Sequence, residues 1–216
     1  MRRLGHFLTD VGDRHGIPWL SYNPANFLWW HGAQLSSASS VARVLDATFP
    51  DATRYADIGA GSGVFGASLA RRGRSVVACE RYGFGRWLAR QQGLKVVSFD
   101  LTREPPAHLG GPVDVAFCFE VAEHLPSELG DRLVGFLTAL APVVVFTAAH
   151  LGQGGWGHIN EQPREYWLSR FAAGGMSEDH PATQRLAAEL GTLRAVPWLG
   201  PNVMVLRRDV GAESRG

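Results

Sequence analysis

Lysine is almost missing from this chain. Lys95 stands alone in a basic total of 21, the rest being arginine, a bias that points to GC-rich coding rather than to any chemistry. The arginines are also not clustered. Arg2–Arg3, Arg71–Arg72 and Arg207–Arg208 are isolated pairs, and 20 acids against 21 bases leave a formal net charge of +1. No basic track is available for a phosphate backbone, which argues against a nucleic-acid partner. Cysteine is scarce too. Cys79 and Cys118 each fall inside an apolar, strand-like run, where a small buried hydrophobe is expected rather than a disulfide or a metal pair. No apolar run reaches the length of a bilayer span, and the N-terminus lacks the apolar core of a secretion signal. The expectation is a cytoplasmic protein with neither membrane nor nucleic acid as partner.

What is present is a core. A chain of 216 residues with 45% apolar and 19% charged residues suits a single α/β domain. Residues 1–35 read as irregular and aromatic, with Phe7, Trp19, Tyr22, Phe27, Trp29 and Trp30. A helix is expected over 36–49, opened by Ser36 or Ser37 and stopped at Pro50. Strands and helices then alternate: strands at 55–58, 75–79, 95–99, 113–119 and 143–147, and helices at 64–72, 84–92 and 127–140, the last capped by Ser127. Gly73 and Gly93 mark helix ends. Further helices are expected near 163–173 and 183–190, and a last strand at 202–207. Such alternation implies a parallel, doubly wound sheet that binds ligands beyond the carboxyl ends of its strands.

Four acids fall at those ends: Asp57, Glu80, Asp100 and Glu120. Asp57 opens a turn whose Gly59, Gly61 and Gly63 let the backbone approach a ligand. Glu80 ends the second strand, 21 residues beyond Gly59, about where a ribose diol is gripped in a βαβ unit. Gly61, Gly63 and Gly66 also fit the dinucleotide fingerprint. An acid just before the turn, however, suits a cationic ligand better than a pyrophosphate.

The run of Asp57, Gly59, Gly61 and Gly63 resembles the first motif of class I S-adenosylmethionine-dependent methyltransferases. Glu80, the pair Asp100–Leu101, and residues 117–125 (FCFEVAEHL) resemble three further motifs of that family in order. The resemblance implies a Rossmann-like, doubly wound α/β fold with a seven-stranded, mostly parallel sheet and an antiparallel last strand. Residues 1–50 would form an N-terminal helical and aromatic cap, and 51–216 the domain that binds S-adenosylmethionine. Asp57 would meet the ammonium of that cofactor, Glu80 its ribose, Asp100 and Leu101 its adenine, and Glu120 its methionine end.

Residues 150–167 (HLGQGGWGHINEQPREYW) resemble a loop signature of small bacterial methyltransferases. Long loops of this composition usually carry function. His150, His158 and His124 are the candidate catalytic residues, with Gln153, Asn160 and Gln162 orienting a polar substrate. Tyr22, Trp29 and Trp30 are candidates for an apolar lid, one or two of them (Tyr22 and Trp30) over the substrate, with packing of the first helix onto the sheet as the alternative for the N-terminal aromatics. His158 and Asn160 have an alternative use in bonding the loop's own backbone. Residues 161–167 are expected to start the next helix. A metal-free site is favoured. The alternative gives Glu120, Glu123 and His124, on one face of a helical turn, to a divalent cation such as Mg, Mn or Fe, with His150 or His158 as a further imidazole ligand. The expected activity is methylation, at oxygen, of a small hydroxylated molecule such as a sugar or secondary metabolite. An NAD(P)-dependent oxidoreductase and a non-catalytic binding protein are the competing classes.

Overall fold

The computed structural model describes residues 20, 22–106 and 109–209. Phe7, Trp19 and the Arg2–Arg3 pair lie outside them. Seven strands form one sheet: β1 (Arg54–Ile58), β2 (Ser75–Glu80), β3 (Lys95–Ser98), β4 (Val115–Phe119), β5 (Val143–Thr147), β6 (Met176–Glu178) and β7 (Met204–Arg208), in the order β3-β2-β1-β4-β5-β7-β6. Strands β1 to β5 pair in parallel, whereas β7 runs antiparallel to both β5 and β6. The strand order reverses between β1 and β4, which sets their carboxyl ends, and those of β2 and β5, around one crevice.

The central strands β4 and β5 are apolar almost throughout because both faces of the sheet are covered there. Ala116 and Cys118 of β4 face one core with Leu133 and Leu137 of α4 (Ser127–Leu140) and Trp167 and Phe171 of α5 (Arg164–Ala173). Val115 and Phe117 face the other core, with Val41 and Leu45 of α1 (Pro24–Thr48), Leu69 of α2 (Val64–Ala70) and Leu186 of α6 (His180–Leu190). Helix α3 (Gly83–Gln91) packs beside β2 and β3, and a short α7 (Leu199–Asn202) precedes β7. Cys79 and Cys118 are unpaired and fully buried, as small hydrophobes.

Helix α1 starts twelve residues before the expected position. Asn23 is its cap, its side-chain oxygen accepting from the amides of Ala25 and Asn26 at 2.9 and 3.2 Å, and Pro24 supplies a preset first turn. Ser36 and Ser37 lie mid-helix. Pro126, not Ser127, occupies the cap position of α4 and makes no side-chain capping bond. Helix α6 begins at His180 because Asp179 accepts from the amide of Ala182 at 3.0 Å. Strand β6, which completes the seven that the resemblance implied, and helix α7 were not located in the sequence.

Candidate functional site

The turn after β1 is built by left-handed glycines, with φ of 73° at Gly59, 56° at Gly61 and 75° at Gly63. A Cβ on Gly59 would sit 2.4 Å from Cγ2 of Val121, so this turn lies directly against the chain leaving β4. At Gly61 an added Cβ would meet nothing within 4 Å. Space suited to a ligand therefore opens beside its backbone.

Glu80 closes this turn from the end of β2. One of its oxygens accepts from the amide of Gly61 at 2.8 Å, the other from the amide of Tyr82 at 2.7 Å. Both oxygens keep a second lone pair. Burial pushes the Glu80 carboxyl up to about 7, against the lowering effect of those amides. Asp57 is also buried, and burial pushes it up to about 8 while the amide of Gly66 favours its charged form. A Cβ on Gly66 would lie 2.9 Å from Oδ2 of Asp57. The Asp57 carboxyl is thus packed beneath α2 against Gly66, where any side chain would collide with it.

Asp100 starts a turn, its Oδ1 accepting from the amide and hydroxyl of Thr102 at 3.0 and 2.8 Å, with Arg81 Nε 3.6 Å away. The side chain of Leu101 is packed in the core.

Glu120 has φ of 54°, the single positive value at a non-glycine position among the described residues. Such backbone is costly and concentrates at functional sites. Its amide donates to Thr147, at the end of β5. Its carboxylate accepts from Asn202 and Gln153, each at 3.2 Å, and Asn202 donates to Gln153 at 2.8 Å. Asn202 is a site residue that the sequence did not signal.

Residues Ala122–His124 form a 3-10 turn, not the start of an α-helix. Because Glu120 precedes that turn in left-handed backbone, its carboxylate goes to Gln153 and Asn202. The ligand atoms that converge are those of Glu123, His124 and His158, all within 4.8 Å of one another. His158 thus stands where Glu120 was the candidate. Glu123 is 0% exposed. Neither of its carboxylate oxygens meets a partner at hydrogen-bonding geometry, although burial and the nearby Glu120 charge push its pKa well above the ordinary carboxylate range.

The loop after β5 folds back onto that turn. The amides of Ile159 and Asn160 donate to the carbonyl of Glu123 at 2.9 and 3.0 Å, and Asn160 Nδ2 reaches the carbonyl of Ala122 at 3.4 Å. Gln162 donates to Asn160 at 2.9 Å. Asn160 and Gln162 therefore hold the loop in shape, and Gln153 faces Glu120. Glu161 is the loop's organiser: it accepts from the amides of Gly152 and Gly154 and pairs with His158 Nδ1 at 2.8 Å. His150 is exposed, with Nδ1 bonded to the carbonyl of Leu151, and is not in the convergent group.

Tyr22 stacks on Tyr82 at 4.2 Å, two residues past Glu80, and meets the edge of His124 at 6.2 Å. Trp30 lies 6.0 Å from Tyr22 and edge-on to the buried Phe27. The start of α1 thus brings Tyr22 and Trp30 over the junction between Glu80 and the imidazoles. Among the described residues no helix is long and apolar enough to cross a membrane.

Sheet order, antiparallel β7 and an acid beside a glycine turn at the switch point together define the class I S-adenosylmethionine-dependent methyltransferase fold. Solved structures agree. An amino pentose methyltransferase from Micromonospora echinaspora involved in calicheamicin biosynthesis, with bound S-adenosylmethionine, is similar at 20% identity and a TM-score of 0.62, over 83% of this chain and 92% of that one. A TehB-like S-adenosylmethionine-dependent methyltransferase from Corynebacterium glutamicum is similar at 16% identity and 0.62, over 87% of this chain and 100% of that one. The sugar N-methyltransferase KedS8 from a Streptoalloteichus species is similar at 17% identity and 0.60, over 81% and 87%. No protein-family model matches the chain, and no curated protein matches it in sequence.

Proposed function

We propose that this chain transfers a methyl group from S-adenosylmethionine to a hydroxyl of a small polar molecule such as a sugar or secondary metabolite. The observation that carries the donor assignment is Glu80, whose two oxygens are aimed by the amides of Gly61 and Tyr82 with lone pairs to spare for a ribose diol. The open space at Gly61 fits a ligand passing along the turn. In this reading Asp57 supports the ammonium end, Asp100 and Leu101 the adenine, and Glu120 the methionine end.

Bound there, S-adenosylmethionine supplies an electrophilic methyl group: the bond from sulfur to carbon breaks as carbon bonds the acceptor oxygen, leaving S-adenosylhomocysteine and one released proton. The protein's part is alignment and handling that proton. Gln153, presented by Glu120 and Asn202, orients the acceptor, and Tyr22 with Trp30 shields the site from water. Both His124 and His158 have Nδ1 committed to an acceptor, Gly157 O and Glu161 respectively. Each neutral ring therefore carries its lone pair on Nε2, and such a lone pair takes the proton. The likeness to sugar methyltransferases supports a sugar-sized acceptor. Calorimetric titration with S-adenosylhomocysteine, followed by methyl transfer to a panel of hydroxylated and amino sugars, tests the proposal. Transfer to amines alone would move the reaction to nitrogen.

A further inference from the structure

We propose that Glu123, His124 and His158 hold a divalent first-row transition cation, which in turn holds the acceptor hydroxyl; the role in methyl transfer rests on the function proposed above. Three independent features converge. The ligand atoms lie within 4.8 Å of one another. Atoms bound to one ion at about 2.0–2.2 Å lie about 3–3.6 Å apart in cis or tetrahedral positions and about 4.4 Å apart only when opposite, so the group would draw together by up to about 1–2 Å on an ion. The His158 ring packs closely against Gly155, where an added Cβ would come 2.2 Å from Cε1, so the absence of a side chain there makes room for the imidazole.

The second feature is the carboxylate. Glu123 is 0% exposed and neither of its oxygens meets a partner at full hydrogen-bonding geometry; the Ala149 backbone favours its charged form, while the Glu120 carboxylate beside it acts as a like charge. A buried carboxylate is costly without a counter-charge, and a cation between Glu123 and two imidazoles would supply one.

The third is the arrangement behind the imidazoles. His158 Nδ1 donates to the Glu161 carboxylate and His124 Nδ1 to the carbonyl of Gly157. Outer partners of this kind fix the tautomer and raise ligand basicity in metal sites. One carboxylate and two imidazoles with open positions suit Mn, Fe or Zn better than Mg. An acceptor hydroxyl bound at an open position becomes more acidic. It gives its proton to water and its oxygen to the methyl group, so neither imidazole need act as base.

The test uses the full chain, stripped with chelator and titrated with Mn and then Zn by calorimetry. Free Mn is followed by electron paramagnetic resonance, and each sample is also titrated with S-adenosylhomocysteine. One ion per chain is expected. Glu123→Gln and His158→Asn should weaken binding at least tenfold, and Glu161→Gln, which touches no ion, roughly ten- to hundredfold. Should Glu123→Gln fail to fold, His158→Asn in the loop decides. Absence of Mn and Zn binding by the wild type, or binding unchanged in these variants, overturns the site. If S-adenosylhomocysteine still binds in that case, the donor site stands and His124 and His158 return to the role of base. Cation binding without S-adenosylhomocysteine binding would instead sink the donor assignment alone.

Discussion

Replacing Glu80 by glutamine preserves its size and removes one acceptor oxygen. In the native turn each carboxylate oxygen spends one lone pair on an amide, from Gly61 at 2.8 Å and from Tyr82 at 2.7 Å, and keeps the other for a ribose hydroxyl. A glutamine NH2 group would face one of those amides donor to donor and offer nothing to a hydroxyl. Hydrogen bonds to charged groups contribute about 1.5–3 kcal/mol. Losing one of two ribose acceptors should therefore weaken S-adenosylhomocysteine roughly ten- to hundredfold. The fold should survive, because burial already pushes the Glu80 carboxyl up to about 7, so the ligand-free protein tolerates a neutral side chain there. Calorimetry on wild type and Glu80→Gln, with a thermal melt of each, gives both numbers. Affinity within twofold of wild type in a folded variant would refute a ribose role for this residue.

Other expectations follow from the same geometry. Gly59→Ala should destabilise by several kcal/mol, since φ is 73° and the new methyl meets Val121 at 2.4 Å. Gly61→Ala should cost only about 1–2 kcal/mol of stability yet impair donor binding, because its methyl enters the open space. Comparing melts with calorimetry separates the two. Asp57 at about 8 and Glu80 at about 7 hold protons in the folded protein at pH values where the unfolded carboxyls have lost them. Their contribution to stability therefore falls as pH rises from about 5 to 8. The ligand-free melting temperature should drop over that window in metal-free buffer, and a steady rise would contradict the burial of these acids. Glu161→Ala removes the acceptor of two glycine amides and His158, so limited proteolysis at 150–160 should accelerate while S-adenosylhomocysteine affinity holds. A loop cut no faster than wild type would deny Glu161 its organising role.

The parts of this molecule that could be read from sequence are those set by local chemistry. Strands β1, β2, β4 and β5 are short and largely buried, so they read as mostly apolar runs, β3 shows as a Val-Val pair between exposed Lys95 and Ser98, and Gly73 and Gly93 follow their helices in left-handed backbone as their positions suggested. Glu80 was legible because a strand end and a glycine turn fix its place. Other features depend on distance in the fold. Ser36 and Ser37 carry the chemistry of a helix start, but the start belongs to Asn23 and Pro24, whose helix buries Phe27 and brings Tyr22 and Trp30 to the site. Strand β6 has three residues and exists because β7 offers it an edge. Asn202 meets Glu120 across 82 residues of sequence. The departure of Glu120 from the Glu123 and His124 group follows from a left-handed residue before a 3-10 turn, which i, i+3, i+4 spacing does not reveal.

The most direct test of the methyl-donor site is calorimetric titration of the wild-type chain with S-adenosylmethionine and S-adenosylhomocysteine, with NADH run alongside. Saturable binding of the first two at one site, with none of NADH, is the expected result. Binding of NADH with neither donor form bound would contradict it and return Gly61, Gly63 and Gly66 to a dinucleotide role.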